Sequence, residues 1–226
     1  MKDPYIQENG VLINRLNITD HNELRRAEAD IGFLKLINVD SVSVDYFDES
    51  LIRRIHEHVF EDIFDWAGEF RTVPLVKEEL VLPGYSIPYT DSKNIKKELT
   101  NRINHMNKID WSSMNVEDIS MTFARELALL WKVHPFRDGN TRTTLAYGFL
   151  FAKEHGFPFD IETFTTELNR IYADDGKVKK YSVRDKFVLA CLDEKDYPEV
   201  EPLAGVFHKA IINYQNKHEQ ERKNVL

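Results

Sequence analysis

The sequence has a single cysteine among 226 residues, so no internal disulfide can form and a reducing, cytoplasmic setting is expected. That residue, Cys191, sits in the apolar run Phe187 to Leu192 and reads as buried structure rather than as a nucleophile. Long apolar runs are also missing. None approaches the roughly 20 residues needed to span a bilayer, and the opening MKDPYIQENG has no apolar signal core. No membrane partner is expected. Positive charge is in deficit: 30 Lys and Arg against 38 Asp and Glu give a net charge of −8, which argues against direct nucleic-acid binding. The phosphate-loop patterns G-x-x-x-x-G-K-S/T and G-x-G-x-x-G are absent, so the common nucleotide-binding folds have no support. Internal repeats and low-complexity segments are absent too.

What is present is helical texture over a sizeable core, with 42% hydrophobic and 12% aromatic residues. Thr19 or Asp20 can cap a helix running from Asn22 to about Leu36, with Glu23 as a capping-box acid. Phe47, Leu51, Ile55 and Val59 recur at four-residue steps and mark one apolar helix face. Asp91 or Ser92 opens another helix to about Met106, and Ile119, Phe123, Leu127 and Leu130 mark a further one. Helices are predicted from Thr141 to about Gly156 and at 163–173, 181–192 and 198–213. Strand propensity is confined to Phe70–Val73 and Glu79–Leu82, punctuated by Pro74, Pro83 and Gly84. The expectation is an all-α fold with one small β-hairpin. Residues 1–40 form an extension with the first helix, 41–213 the main domain with its core at 47–192, and 214–226 a charged, frayed tail. Trp66 and Trp111 read as core plugs. His56 and His58 lie two apart, a poor spacing for a metal pair on a helix, so a surface or flap-supporting role is expected.

Residues 131–144, WKVHPFRDGNTRTT, concentrate the chemistry. Pro135 disfavours helix at His134, which places that imidazole at a helix end, suited to accept a hydroxyl proton near neutral pH. Gly139 permits backbone shapes closed to other residues. Asn140 and Thr141 open a helix whose first N–H groups make an anion seat. Arg142 can fork onto phosphate oxygens, and Asp138 offers a hard oxygen for magnesium. Each residue alone has an ordinary explanation as a cap, a turn or a surface charge. A plain helix–loop–helix link, however, needs neither the histidine nor the arginine.

His134-Pro135-Phe136-Arg137-Asp138-Gly139-Asn140-Thr141-Arg142 resembles the Fic-family signature H-P-F-x-D/E-G-N-G-R. Residues 56–73 look like the segment leading into that family's flap, and 18–29 are similar to the first helix of many bacterial members. The resemblance implies a helical core around a central helix–loop–helix, with the hairpin as flap. It implies transfer of AMP from ATP to a Tyr, Ser or Thr hydroxyl of a target protein. His134 would be the base and Asp138 the Mg2+ ligand. Gly139, Asn140 and Thr141 would seat the phosphates, with the Asn140 side chain near the α-phosphate, and Arg142 would grip the β-phosphate. Phe136 would be a structural anchor. Arg71, Thr72, Val73, Leu75, Val76, Leu80 and Val81 would dock the target on the flap by strand pairing.

Two departures stand out. Thr141 replaces the motif's second glycine, and Leu145 stands where many members carry another arginine, three residues past the first. No S/T-x-x-x-E-G/N inhibitory helix is found on the chain, so a small antitoxin-like partner is the remaining route for that kind of control, and the missing arginine weighs against it. A toxin or signalling role follows from the resemblance. A Doc-like phosphotransferase and a catalytically degenerate binding module are the alternative readings.

Overall fold

The computed structural model describes residues 3–82, 84–167, 169–172 and 176–224. Helix α1 spans His21–Ile37, and Asp20 rather than Thr19 caps it, its carboxylate accepting from the amides of Asn22 and Glu23. Helix α2 spans Glu49–Phe60, capped in the same way by Asp48. It buries Leu51, Ile55 and Val59, the apolar series that predicted it, together with Ile52, His56 and Phe60. A 3-10 turn at Ser92–Asn94, capped by Asp91, leads into α3, Ile95–Met106. Then come α4, Val116–Val133, and α5, Asn140–Glu154. A short antiparallel pair follows, β1 at Ile171–Tyr172 and β2 at Val178–Lys180, with Ile171 opposite Lys180 and Tyr172 opposite Val178. Helix α6, Val183–Ala190, opens on a reciprocal Ser182–Asp185 capping box, and α7 spans Glu201–Asn224.

The described residues form two compact units. The first comprises Met1–Leu75, Thr90–Asn104 and Val133–Leu150. Within it Tyr5, Val11, Leu24, Val59, Phe60, Ile63, Phe64 and Trp66 pack as one cluster, with Trp66 stacked on Phe64 at 4.3 Å. Each such side chain contributes about 1.5–3 kcal/mol when withdrawn from water. The second comprises Val76–Tyr89, His105–Lys132 and Phe151–Leu226. Its core is aromatic: Phe123 meets Trp111, Phe157 and Phe207 edge-on at 5.0–5.8 Å. Cys191 is buried there, and burial pushes its thiol up to about 12, so it is not a nucleophile.

Among the described residues the fold is all-α with one small two-stranded sheet, but the sheet is not where local propensity put it. No ladder forms at Phe70–Val73 and Glu79–Leu82. Glu79 instead turns inward, its Oε1 accepting from the Tyr89 hydroxyl at 2.6 Å and from Arg184 at 2.9 Å. The amide of Leu82 bonds the Glu79 carbonyl at 2.8 Å, so the intended second strand is a turn. Pro83, one of the expected turn residues, lies outside the described residues. The predicted helix at 163–173 is a 3-10 segment, Ile161–Glu167, followed by β1. The last helix runs to Asn224, well past the expected 213. Among the described residues no helix is long and apolar enough to cross a membrane.

Candidate active site

The site belongs to the first unit. Helix α4 ends at Val133, and His134 takes a left-handed conformation, φ +50°, that ends the helix ahead of Pro135. Arg71 fixes this corner. Its amide donates to the Pro135 carbonyl at 2.8 Å and its Nε to the His134 carbonyl at 2.9 Å. Its Nη1 donates to Val73 O at 2.8 Å and its Nη2 to Thr90 O. At 2% exposure Arg71 is a buried strut at the start of the expected flap. The His134 residue is itself only 1% exposed.

The loop from Phe136 to Asn140 is closed by one side chain. Asn140 Oδ1 accepts from the Phe136 amide and its Nδ2 donates to the Phe136 carbonyl, both at 2.9 Å. The Asn140 side chain is therefore engaged by the loop backbone at both of its polar atoms. Phe136 is fully buried beneath the loop and stacks on His56 at 3.8 Å between ring centres. Asp138 is half-buried, with Oδ1 accepting from the Gly139 amide at 2.6 Å.

Gly139 cannot be replaced without conflict. Its φ is +77°, and a Cβ there would stand 2.3 Å from Phe60 Cε2. From this turn α5 begins. Its first backbone bond is Thr143 N–H to Gly139 O at 3.0 Å, so the amides of Asn140, Thr141 and Arg142 precede the hydrogen-bonded ladder. Thr141 sits half-buried on this first turn and Leu145 is buried one turn on. The Arg142 guanidinium lies 4.6 Å from the Phe60 ring centre and pairs with Glu28 of α1.

The loop has a support on α2, for which the sequence allows a surface or a flap-supporting role. His56 is completely buried, not a surface residue. Its Nδ1 accepts from the Gly68 amide at 2.8 Å, so the remaining proton is on Nε2, which donates to the Asp138 carbonyl at 3.2 Å. Burial pushes its pKa down to about 3, so the ring is neutral. Its position on the apolar stripe with Ile52, Ile55 and Val59 was the available signal.

The expected flap begins beside this corner. Thr72 is exposed, with its amide donating to the Tyr5 hydroxyl at 3.2 Å, while Val73 packs on the aromatic cluster of the first unit. From Thr72 to Glu79 the chain alternates between more exposed and more buried residues. Val76 is 81% and Leu80 69% exposed, whereas Leu75 and Val81 are partly buried. The amides of Leu75, Val76, Lys77 and Glu78 donate to no partner among the described residues.

Residues 46–152 match the model of the Fic/DOC family. "Protein adenylyltransferase VbhT" of Bartonella schoenbuchensis is 29% identical over 70% of this chain, a match that spans only about a third, 32%, of that relative's length. "Probable protein adenylyltransferase y4lH" of Sinorhizobium fredii is 29% identical over 66% of this chain and 74% of its own. The crystal structure of BepC from Bartonella tribocorum with bound AMPPNP superposes with a TM-score of 0.69. It covers 91% of this chain and 95% of its own at 20% identity, a likeness of fold.

Proposed function

We propose, from the Fic/DOC-family domain that this chain carries, that it transfers AMP from ATP to a Tyr, Ser or Thr hydroxyl of another protein. The observation that carries the reading is His134, held in a left-handed corner directly before a clasped loop that leads into the N-terminus of α5. In this reading a base and an anion seat lie a few residues apart. The relatives' names, which say adenylyltransferase, support the same reaction.

In this reading the His134 imidazole takes the hydroxyl proton and the freed oxygen attacks the α-phosphorus. The bond from that phosphorus to the bridging oxygen breaks, and diphosphate leaves with the electron pair. The amides of Asn140, Thr141 and Arg142 hold the phosphates along the helix axis, and the Arg142 cation meets the charge growing on the leaving group. Asn140 acts through its backbone, because its side chain keeps the loop closed. At 1% exposure His134 receives a protein hydroxyl only after neighbouring atoms move aside.

Among the described residues no three His, Cys, Asp or Glu side chains gather around a metal position. Asp138 is then a single carboxylate, the donor set magnesium accepts when phosphates and water complete its shell. Bound there, Mg2+ would neutralise charge on the phosphates. The target would add by backbone pairing to the segment around residues 73–78, where amides lack described partners and exposure alternates.

Incubation with α- or γ-labelled ATP and a cell extract tests the reaction. Protein label from the α-phosphate alone supports AMP transfer. Label from γ alone makes the protein a phosphotransferase, and label from neither makes it a binding module. His134→Ala should lower the α-label by about 10²–10⁴-fold, the usual loss with a general base.

A further inference from the structure

We infer that α1 is part of the nucleotide site: Glu28 and Gly32 form a socket that holds Arg142 by one guanidinium edge and leaves the other for a diphosphate. This rests on the phosphate seat argued above.

Three features of α1 point to it. Glu28 is 8% exposed, an unusual place for a carboxylate, and shares the buried face of the helix with Leu24 and Gly32. Gly32 stands one turn after Glu28, inside a helix that glycine weakens. Its lack of a side chain is what admits the cation, because a Cβ there would lie 2.8 Å from Arg142 Nη1. Both ends of the guanidinium are then tied to one residue. Nη1 donates to the Glu28 carbonyl at 2.6 Å and Nη2 to Glu28 Oε2 at 2.7 Å. The carbonyl is within a helix and uses its second lone pair. Phe60 lies against the plane of the group.

This arrangement fixes the Nη1–Nη2 edge. The other edge, Nε–H with the second Nη2–H, has no partner among the described residues. A planar cation clamped on one side presents two parallel donors on the other, the geometry that suits two phosphate oxygens. The loss of side-chain freedom on binding nucleotide is taken in advance by the fold. Glu28 is therefore a positioning residue acting through Arg142.

Calorimetric titration of the full chain with ADP and with AMP tests this, because AMP has no β-phosphate for Arg142 to hold. Arg142→Ala should weaken ADP about tenfold or more, the scale of a lost charged hydrogen bond, and leave AMP unchanged. Glu28→Gln should weaken ADP several-fold with AMP unchanged, and adding it to Arg142→Ala should bring no further loss. Gly32→Ala tests the socket from its other wall. Alanine favours the helix, but its Cβ would stand 2.8 Å from Arg142 Nη1 and push the guanidinium off Glu28, so ADP affinity should fall with AMP unchanged. Equal ADP binding by wild type, Glu28→Gln and Gly32→Ala, with Arg142→Ala impaired, overturns the socket and keeps the phosphate seat. Tighter ADP binding by Glu28→Gln also overturns it, since Glu28 would then compete with phosphate. ADP binding that Arg142→Ala does not change, or wild type that binds neither nucleotide, removes the phosphate seat and the socket together.

Discussion

Acidification from pH 7 to pH 5 should cost the protein about 2 kcal/mol through His56 alone. The ring is fully buried, both nitrogens are engaged, and Phe136 covers one face. A proton added at Nδ1 would point at the Gly68 N–H, which already donates there at 2.8 Å. Burial is the larger cause of the low pKa, about 3, and the hydrogen bond to the Asp138 carbonyl opposes it. The unfolded chain takes this proton near pH 6.5, whereas the folded chain takes it only near pH 3. Between those values the unfolded state binds more protons, so stability falls as pH falls. At pH 6 the loss is about 0.8 kcal/mol and at pH 5 about 2 kcal/mol, and it stops growing below about pH 3. Urea unfolding of wild type and His56→Asn at pH 7, 6 and 5 measures it. Asparagine can still accept from Gly68 but loses the stack on Phe136, so the variant starts less stable. Other groups titrate in both proteins and cancel. The gap between the two should shrink by about 2 kcal/mol from pH 7 to pH 5. A constant gap would show that His56 is not held neutral in the fold and would refute the reasoning.

Gly139→Ala should destabilise the protein by about 2–5 kcal/mol, from the left-handed backbone and the contact with Phe60. Denaturant unfolding checks this, and a wild-type midpoint would mean that Phe60 does not fill that space. Asn140→Asp keeps an acceptor for the Phe136 amide but sets a carboxylate against the Phe136 carbonyl. It should cost about 2–4 kcal/mol at pH 7 and lower the α-label with it, and unchanged stability would sink the clasp. Glu79→Ala removes the acceptor of Tyr89 and the ion-pair partner of Arg184, 2.8 Å away. Trypsin should then cut after Lys77 sooner than elsewhere in the chain, and an unchanged digestion pattern would show that Glu79 does not hold this segment.

The helices were legible where their signals are local. Asp48 with Leu51, Ile55 and Val59, or Pro135 after His134, can be read within a few positions of each other. The 70–82 segment misled because its strand propensity is also local, whereas its shape is set by distant partners. Glu79 bonds Arg184, 105 positions away, and Arg71 bonds His134, 63 positions away. Two-residue β1 was too short for any periodicity to show. The charged end of the chain reads as a frayed tail, but it is helical to Asn224, since Glu, Gln, Lys and Arg are good helix formers. Tyr214 and His218, one turn apart, stack at 3.9 Å within α7.

The signature itself was readable because it is contiguous, but the groups that hold it are not. His56, Phe60, Glu28 and Gly32 come from two earlier helices, and no spacing rule ties them to residues 134–142. What they share is position. His56 interrupts an apolar stripe of α2, and Glu28 stands between Leu24 and Gly32 on the buried face of α1. A polar residue or a glycine on such a stripe weakens the helix it belongs to, so its compensation must come from a partner elsewhere. Here both partners are in the loop region, the Asp138 carbonyl for His56 and the Arg142 guanidinium for Glu28. The misfit residues of the supporting helices therefore mark the site from behind. That is why His56→Asn and Gly32→Ala should both disturb the loop region: the first by removing the partner of the Asp138 carbonyl, the second by pushing the Arg142 guanidinium off Glu28.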